Sequence, residues 1–295
     1  MDLTVFDDLE TINDLLPEGC RAATNEETAR WLLDDGPVLK TTWTIYDRKF
    51  ADGQRELCAT RTTRIKQSGP LPYPNHAQRG ESENRDENDD DSAKRAKQTV
   101  RLRCKAISAD RMITLTYREN MQDIVRLKKD WDSFRRRMGK CKQFHYVATI
   151  ERQERGAFHI HVAVRGRQVY QLIRSIWQRI VGTTQDGKSN GQINVRDPHR
   201  FGFGQTGSHK LAAYIAKYIT LDATGHTLNA KRYWTSRGIV VPEKNFYQLP
   251  YGATASTAFA HVMTLAADHN SHGMTFFSNQ ALGVCWVATE PIDRR

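Results

Sequence analysis

Residues 144–164 read FHYVATIERQERGAFHIHVAV, and the alternation within this stretch decides how the surrounding chain is read. Phe144 to Glu151 and Ala157 to Arg165 each have the pattern of a strand, and the Arg155-Gly156 pair marks the tip of a hairpin between them. Side chains along a strand alternate faces. Phe158, Ile160, Val162 and Val164 therefore share the side that can enter a core, and His159 and His161 share the other. With the tip centred on Arg155, Glu151 falls opposite His159, and directly opposed residues sit about 4.5–5.5 Å apart at Cβ. A slip of one residue turns Glu151 to the wrong face. Two imidazoles side by side form half of a metal site, and a carboxylate beside them leaves positions open for water or substrate. The opposing reading is two surface histidines and a solvated loop acid between Arg152 and Arg155.

Outward from the hairpin, Arg111 to Arg118 reads as a strand. The apolar positions Ile124, Leu127, Trp131, Phe134 and Met138 step by three and four, as on one face of a helix. A second helix carries Val169, Leu172, Ile173, Ile176, Trp177 and Ile180, Gln192 to Arg196 is a short strand, and a third helix runs from about Ser208 to Leu221. The order β-α-β-β-α-β-α predicts an α+β fold. Its form is an antiparallel sheet with helices packed on one face, the ferredoxin-like or RRM-like plan.

The third helix contains LAAYIAKYIT at 211–220. Tyr214 and Tyr218 are four apart and share a face, with Lys217 on the adjacent flank. Leu211, Ile215 and Ile219 already form an apolar row, so the two tyrosines lie off it and keep their hydroxyls for solvent or a ligand. A free phenol, with a pKa of about 10, is a poor nucleophile at neutral pH, and a nearby cation favours the phenolate. A core aromatic pair is the competing reading.

The chain has 295 residues, 44 Lys plus Arg against 34 Asp plus Glu, and a formal net charge of +10. The surplus is local. Residues 101–220 hold 24 basic and 9 acidic side chains, and the remainder is net acidic. Such a surplus suits a polyanion, nucleic acid above all. No apolar run is long enough to span a membrane, and the acidic start MDLTVFDDLE has no secretory pattern. The five cysteines are scattered without a CxxC, which argues against a disulfide framework and fits a reducing cytoplasm. Four regions are expected. Residues 1–66 contain a hairpin around Asp52-Gly53 and a short helix at Glu26 to Asp34. Residues 67–97, rich in Pro and Gly and then in acids, read as a disordered linker. Residues 98–221 form the basic domain, and 222–295 form an extension with a helix near 255–268 and strands near Phe276 and Val284. GTTQDGKS at 182–189 matches the P-loop pattern literally, but it follows a helix and precedes a strand, the reverse of the context that cradles phosphate.

Taken together, ITLT at 113–116, ERQERGAFHIH at 151–161 and YIAKY at 214–218 resemble the HUH endonucleases, more narrowly the two-tyrosine rolling-circle replication initiators of single-stranded DNA phages and plasmids. The resemblance covers about residues 111–220, with a weaker echo in KRYWTSRG at 231–238. It implies a divalent cation, Mg²⁺ or Mn²⁺, held by His159, His161 and Glu151. It also implies Tyr214 as nucleophile with Lys217 beside it, Tyr218 as a second nucleophile, and a 5′-phosphotyrosine product that leaves a 3′-OH primer. Leu221 stands where many relatives have a lysine, a departure that bears on the second tyrosine. Histidine donors are softer than Mg²⁺ prefers, which predicts tighter binding of Mn²⁺. Arg152, Arg155, Arg165 and Lys210 are candidate DNA contacts, and the arginines at 135–137 read as a solvated face. The implied partners are single-stranded DNA at a replication origin, a separate helicase and a host polymerase. A transposase or relaxase shares the same chemistry, a non-catalytic nucleic-acid-binding module needs only the basic sheet, and a hydrolytic or oxidative two-His-one-carboxylate enzyme needs only the triad.

Overall fold

The computed structural model describes residues 39–65, 82–141, 143–196, 211–217, 232–267, 273–279 and 282–290. Strands β1 (Leu39–Lys49) and β2 (Arg55–Ile65) form the expected hairpin, with Gly53 at a positive φ of 82° in the turn. Helix α1 (Arg85–Ala106) follows, then β3 (Arg111–Tyr117), α2 (Ile124–Cys141), β4 (Tyr146–Arg152), β5 (Phe158–Val164), α3 (Tyr170–Val181) and β6 (Gly191–Arg196). A fourth helix, α4, is described over 211–217. The chain continues with β7 (Tyr233–Thr235), β8 (Asn245–Gln248), α5 (Ala255–Ala267), β9 (Met274–Asn279) and β10 (Val284–Thr289).

The fold is α+β, built on two antiparallel five-stranded sheets. One has the order β6-β3-β5-β4-β7 and carries the histidine hairpin. The other has the order β8-β1-β2-β10-β9, so the first hairpin and the C-terminal strands close a single sheet. Alternation along each strand divides the histidine sheet between two apolar layers. Ile113, Leu115, Ile160, Val162 and Val164 meet α2 and α3 through Leu127, Trp131, Phe134, Ile173 and Trp177. Met112, Val147 and Ala163 point the other way and meet Val100 and Cys104 of α1 with Leu211, Ala212, Ile215 and Ala216 of α4. The expected one-sided packing thus holds for α2 and α3, while α1 and α4 cover part of the opposite face.

The disordered linker expected over 67–97 is corrected for its last third: residues 85–97 are the first half of α1, and 67–81 lie outside the described residues. The composition misleads because the first turns of α1 are solvated nearly all round. Asp86 and Glu87 sit in its first turn, where acids favour the positive end of the helix dipole. The apolar anchors, Val100, Leu102 and Cys104, come only in the second half. A domain boundary at 98 would therefore cut through this helix. The short helix expected at Glu26 to Asp34 also lies outside the described residues.

Helix α1 joins the two sheets through charge as well as through apolar contact. Glu56 of β2 accepts from Arg101, and Lys105 Nζ lies 2.5 Å from Glu56 Oε1. The Lys105 side chain is only 1 % exposed, and its ammonium sits 5.6 Å from the Phe50 ring centre and 5.9 Å from that of Trp286. Burial pulls the Lys105 pKa down to about 8, further than Glu56 holds it up. Burial alone would raise the Glu56 carboxyl, but Lys105 and Arg101 together hold it below the ordinary carboxylate range.

Candidate active site

The hairpin register fixes the site. Gln153 N–H donates to Ala157 O at 2.8 Å and Gly156 N–H donates to Gln153 O at 2.7 Å, closing the tip. Gly156 has a φ of +86°, and a Cβ there would meet Gln122 Nε2 at 3.0 Å, so both backbone conformation and space favour glycine. Glu151 then pairs with His159 and Thr149 with His161. On the other side of β5, Thr114 of β3 pairs with His161.

His161 is 4 % exposed and gripped from both ends. Its Nε2 lies 2.6 Å from Glu151 Oε2, and its Nδ1 lies 3.2 Å from Thr114 Oγ1. Glu151, when ionised, only accepts, so Nε2 carries the hydrogen in this arrangement and the Thr114 hydroxyl donates to Nδ1 of the neutral ring. Thr149 Oγ1 is also buried, and among the described residues it has no hydrogen-bond partner. Tyr214 reaches the same place from α4, which Leu211 and Ile215 dock onto the sheet. Its ring stands edge-on to His161, with centroids 6.1 Å apart. A cavity of about 390 Å³ is lined by His159, His161, Tyr214, Thr114, Asn194 and Arg196 among others.

The bond from His161 holds the Glu151 carboxyl below its usual range against the opposing effect of partial burial, with help from the charges of His159 and Lys217. Burial lowers the pKa of His159, against the pull of Glu151. Both groups are depressed in the fold. Their stabilising contributions are present above the unfolded-state values, about 6.5 for His and 4.3 for Glu, and are lost as pH falls through the folded ones. His159→Gln, which cannot titrate, is therefore expected to lose less stability than the parent protein between about pH 7.5 and about pH 5. Urea midpoints at the two pH values measure this, and equal losses would count against it.

The donor set has the right chemistry for a cation: two neutral imidazoles and an ionised carboxylate on one sheet face. It is not a preformed cage. Among the described residues no group of three or more His, Cys, Asp or Glu side chains is arranged to hold a metal ion. The reason is visible in the Glu151–His161 bond, which closes two of the three donors on each other. A cation there would take the place of the shared hydrogen, and the ring would turn over its tautomer, with Nδ1–H donating to Thr114.

The remaining sequence candidates divide by position. Lys217 is on the exposed side of α4, close enough to act on Glu151. Arg155 is at the hairpin tip, its Nε donating to Gln153 Oε1 at 3.0 Å, and Arg152 lies over the Phe158 ring at 6.0 Å. Arg165 follows Val164, whose partner is Tyr146, so it sits at the opposite end of the hairpin from Glu151. Tyr218 and Lys210 lie outside the described residues. Sequence reading missed Gln192, Asn194 and Arg196, which line the cavity from β6. Their period of two in QINVR was the available signal, and the register that sets them opposite Thr116, Thr114 and Met112 completes it. The P-loop look-alike is a tight turn closed by a Thr183–Ser189 bridge, and it opens no helix.

No helix among the described residues is long and apolar enough to cross a membrane. Comparison with curated proteins and with solved structures gives no match. Residues 110–223, which run from the start of β3 through the helix bearing Tyr214, match the model of the replication-associated protein ORF2 family, and this match ties the site-bearing part of the chain to replication-associated proteins.

Proposed function

We propose that this chain initiates rolling-circle DNA replication by nicking and rejoining single-stranded DNA through a tyrosine. The observation that carries the reading is the meeting of His159, His161 and Tyr214 around one open cavity in the part of the chain that matches a replication-associated family. The basic surplus of residues 101–220 supports an anionic partner of this kind.

In the proposed reaction the Tyr214 phenol oxygen attacks the scissile phosphorus. The new Tyr O–P bond forms as the P–O3′ bond breaks, the phenol proton leaves to solvent, and the departing oxygen takes up a proton as the 3′-OH. The DNA 5′ end is then held as a phosphotyrosine ester, which conserves the bond for later rejoining. Glu151, His159 and His161 would hold a divalent cation, which supplies charge neutralisation at the phosphate. Thr114 fixes the His161 ring through Nδ1, leaving Nε2 directed toward Glu151 and the cavity. Lys217 adds positive charge near the phenol, and Arg196 at the cavity wall is placed to meet a flanking phosphate. Tyr218 is proposed as the second nucleophile.

Incubation of the protein with labelled origin oligonucleotide and Mn²⁺ or Mg²⁺, followed by a denaturing gel, tests the reading. A slow-migrating protein-linked 5′ product is expected with either ion and is expected to be lost on chelation. Release of two free ends with no protein attached would overturn the covalent step. Thr114→Val removes the support behind His161 and is expected to weaken Mn²⁺ binding by about 10–100-fold, as for other partners that orient a ligand ring. Paramagnetic resonance of Mn²⁺ titrations reads this without relying on cleavage, and unchanged affinity would remove Thr114 from the site.

A further inference from the structure

At the far edge of the histidine sheet, β7 borders a cavity of about 920 Å³ lined by Arg103, Arg135, Arg232 and Arg237 together with Tyr233 and Trp234. Asp132 is the one acid among its described lining residues, and Arg135 Nη2 engages it at 2.6 Å. The arginines come from different elements. Arg103 rises from α1 and donates to Thr235 Oγ1 at 2.6 Å, whereas Arg135 comes from α2 across the sheet. Trp234 stacks on Trp131 with centroids 5.6 Å apart, which fixes its ring at the wall. Arg232 is the most telling of the set. Its side chain is 8 % exposed, one nitrogen reaches Asp89 Oδ1 at 3.2 Å, and Nη1 is buried with no hydrogen-bond partner among the described residues. Buried donors are nearly always paired in native proteins, so an unpaired guanidinium nitrogen in a basic cavity points to an anionic acceptor.

We propose that this edge cavity is a second nucleic-acid site, which takes the phosphates of a single DNA strand leading to or from the tyrosine. The inference rests on the DNA reading above and extends it to residues outside the cleavage cavity. The two cavities share no lining residue. β7 lies two strands from β5, about 10 Å at the usual ~4.8 Å spacing, so one strand of DNA can touch both. Guanidinium forks match phosphate oxygens, and Tyr233 and Trp234 offer ring surface to unpaired bases. The arginines are spread along both sides of β7, a layout that suits an extended backbone better than one compact anion.

Fluorescence anisotropy with two labelled oligonucleotides tests this: a short one confined to the scissile step and its neighbours, and one extended on both sides. Arg237→Ala, at an exposed position that the fold tolerates, and Arg103→Ala are each expected to weaken the extended oligonucleotide roughly tenfold and to flatten its log–log salt slope by about 1. Binding of the short one is expected to stay within about twofold of the parent protein. Lys128→Ala, an exposed charge on α2 away from the cavity, is expected to change neither and controls for net charge. Unchanged binding of the extended oligonucleotide, or equal weakening of both lengths, would overturn the edge site alone. Stabilisation by inorganic phosphate that Arg237→Ala removes, with DNA binding untouched, would reassign the cavity to a free anion. If the parent protein binds neither oligonucleotide, the DNA reading of the chain falls with it.

Discussion

Tyr214→Phe combined with Tyr218→Phe is expected to abolish the protein-linked DNA product, by at least about a thousandfold, while oligonucleotide binding persists. The substitution deletes only the attacking oxygen. The phenylalanine ring at 214 keeps the edge-on contact with His161 at 6.1 Å and the docking of α4 through Leu211 and Ile215. Binding survives because affinity for DNA comes mainly from charges facing phosphates rather than from the nucleophile. The double variant is required because tyrosines four apart on one helix can substitute for each other, and only Tyr214 is among the described residues. Of the two single variants, Tyr214→Phe is expected to show the larger fall in first cleavage. Cleavage that persists in the double variant with intact binding would end the tyrosine mechanism and leave a hydrolytic metal site as the reading.

The second large effect concerns stability. Glu56→Gln leaves Lys105 buried without its carboxylate and deprives Arg101 of the same partner. Removing one member of a buried ion pair costs about 3–5 kcal/mol, most of it the penalty of the charge left behind. A urea midpoint lowered accordingly is expected, with both sheets affected, because α1 carries the two cations and packs on the histidine sheet through Val100 and Cys104. Adding Lys105→Met is expected to recover much of the loss, since an apolar chain of similar length needs no counter-charge beside Phe50 and Trp286. A double variant no more stable than Glu56→Gln alone would show that the ion pair is not the source of the effect.

The histidine hairpin was legible because its alternation is strict and its loop is short. Once Arg155-Gly156 is the tip, the pairing of Glu151 with His159 follows by counting, and the structure has that register. Helices α2 and α3 were legible for a similar reason, their apolar rows having the helical period. The first half of α1 was not, because Asp86 to Asp91 has no apolar row and its helicity depends on anchors further along and on Glu56 in a distant strand. The β6 wall of the site was hidden because polar residues on a short exposed strand look like solvated surface until Asn194 is seen opposite Thr114. The edge cavity was less legible still. Arg103 and Arg135 are far from Arg232 and Arg237 in sequence, and only the placement of β7 beside β4 gathers them.

The pairing of β2 with β10 brings together Arg55 and Thr289, which are 234 positions apart. During synthesis the first hairpin emerges early but must wait for almost the entire polypeptide before its neighbour exists. The strands from Arg111 to Arg196 lie close in sequence and can assemble much sooner, since local contacts close at lower entropic cost. Until the last strand leaves the ribosome, an open edge of β2 remains exposed, and chaperone dependence or aggregation of truncated translation products is expected to concentrate there.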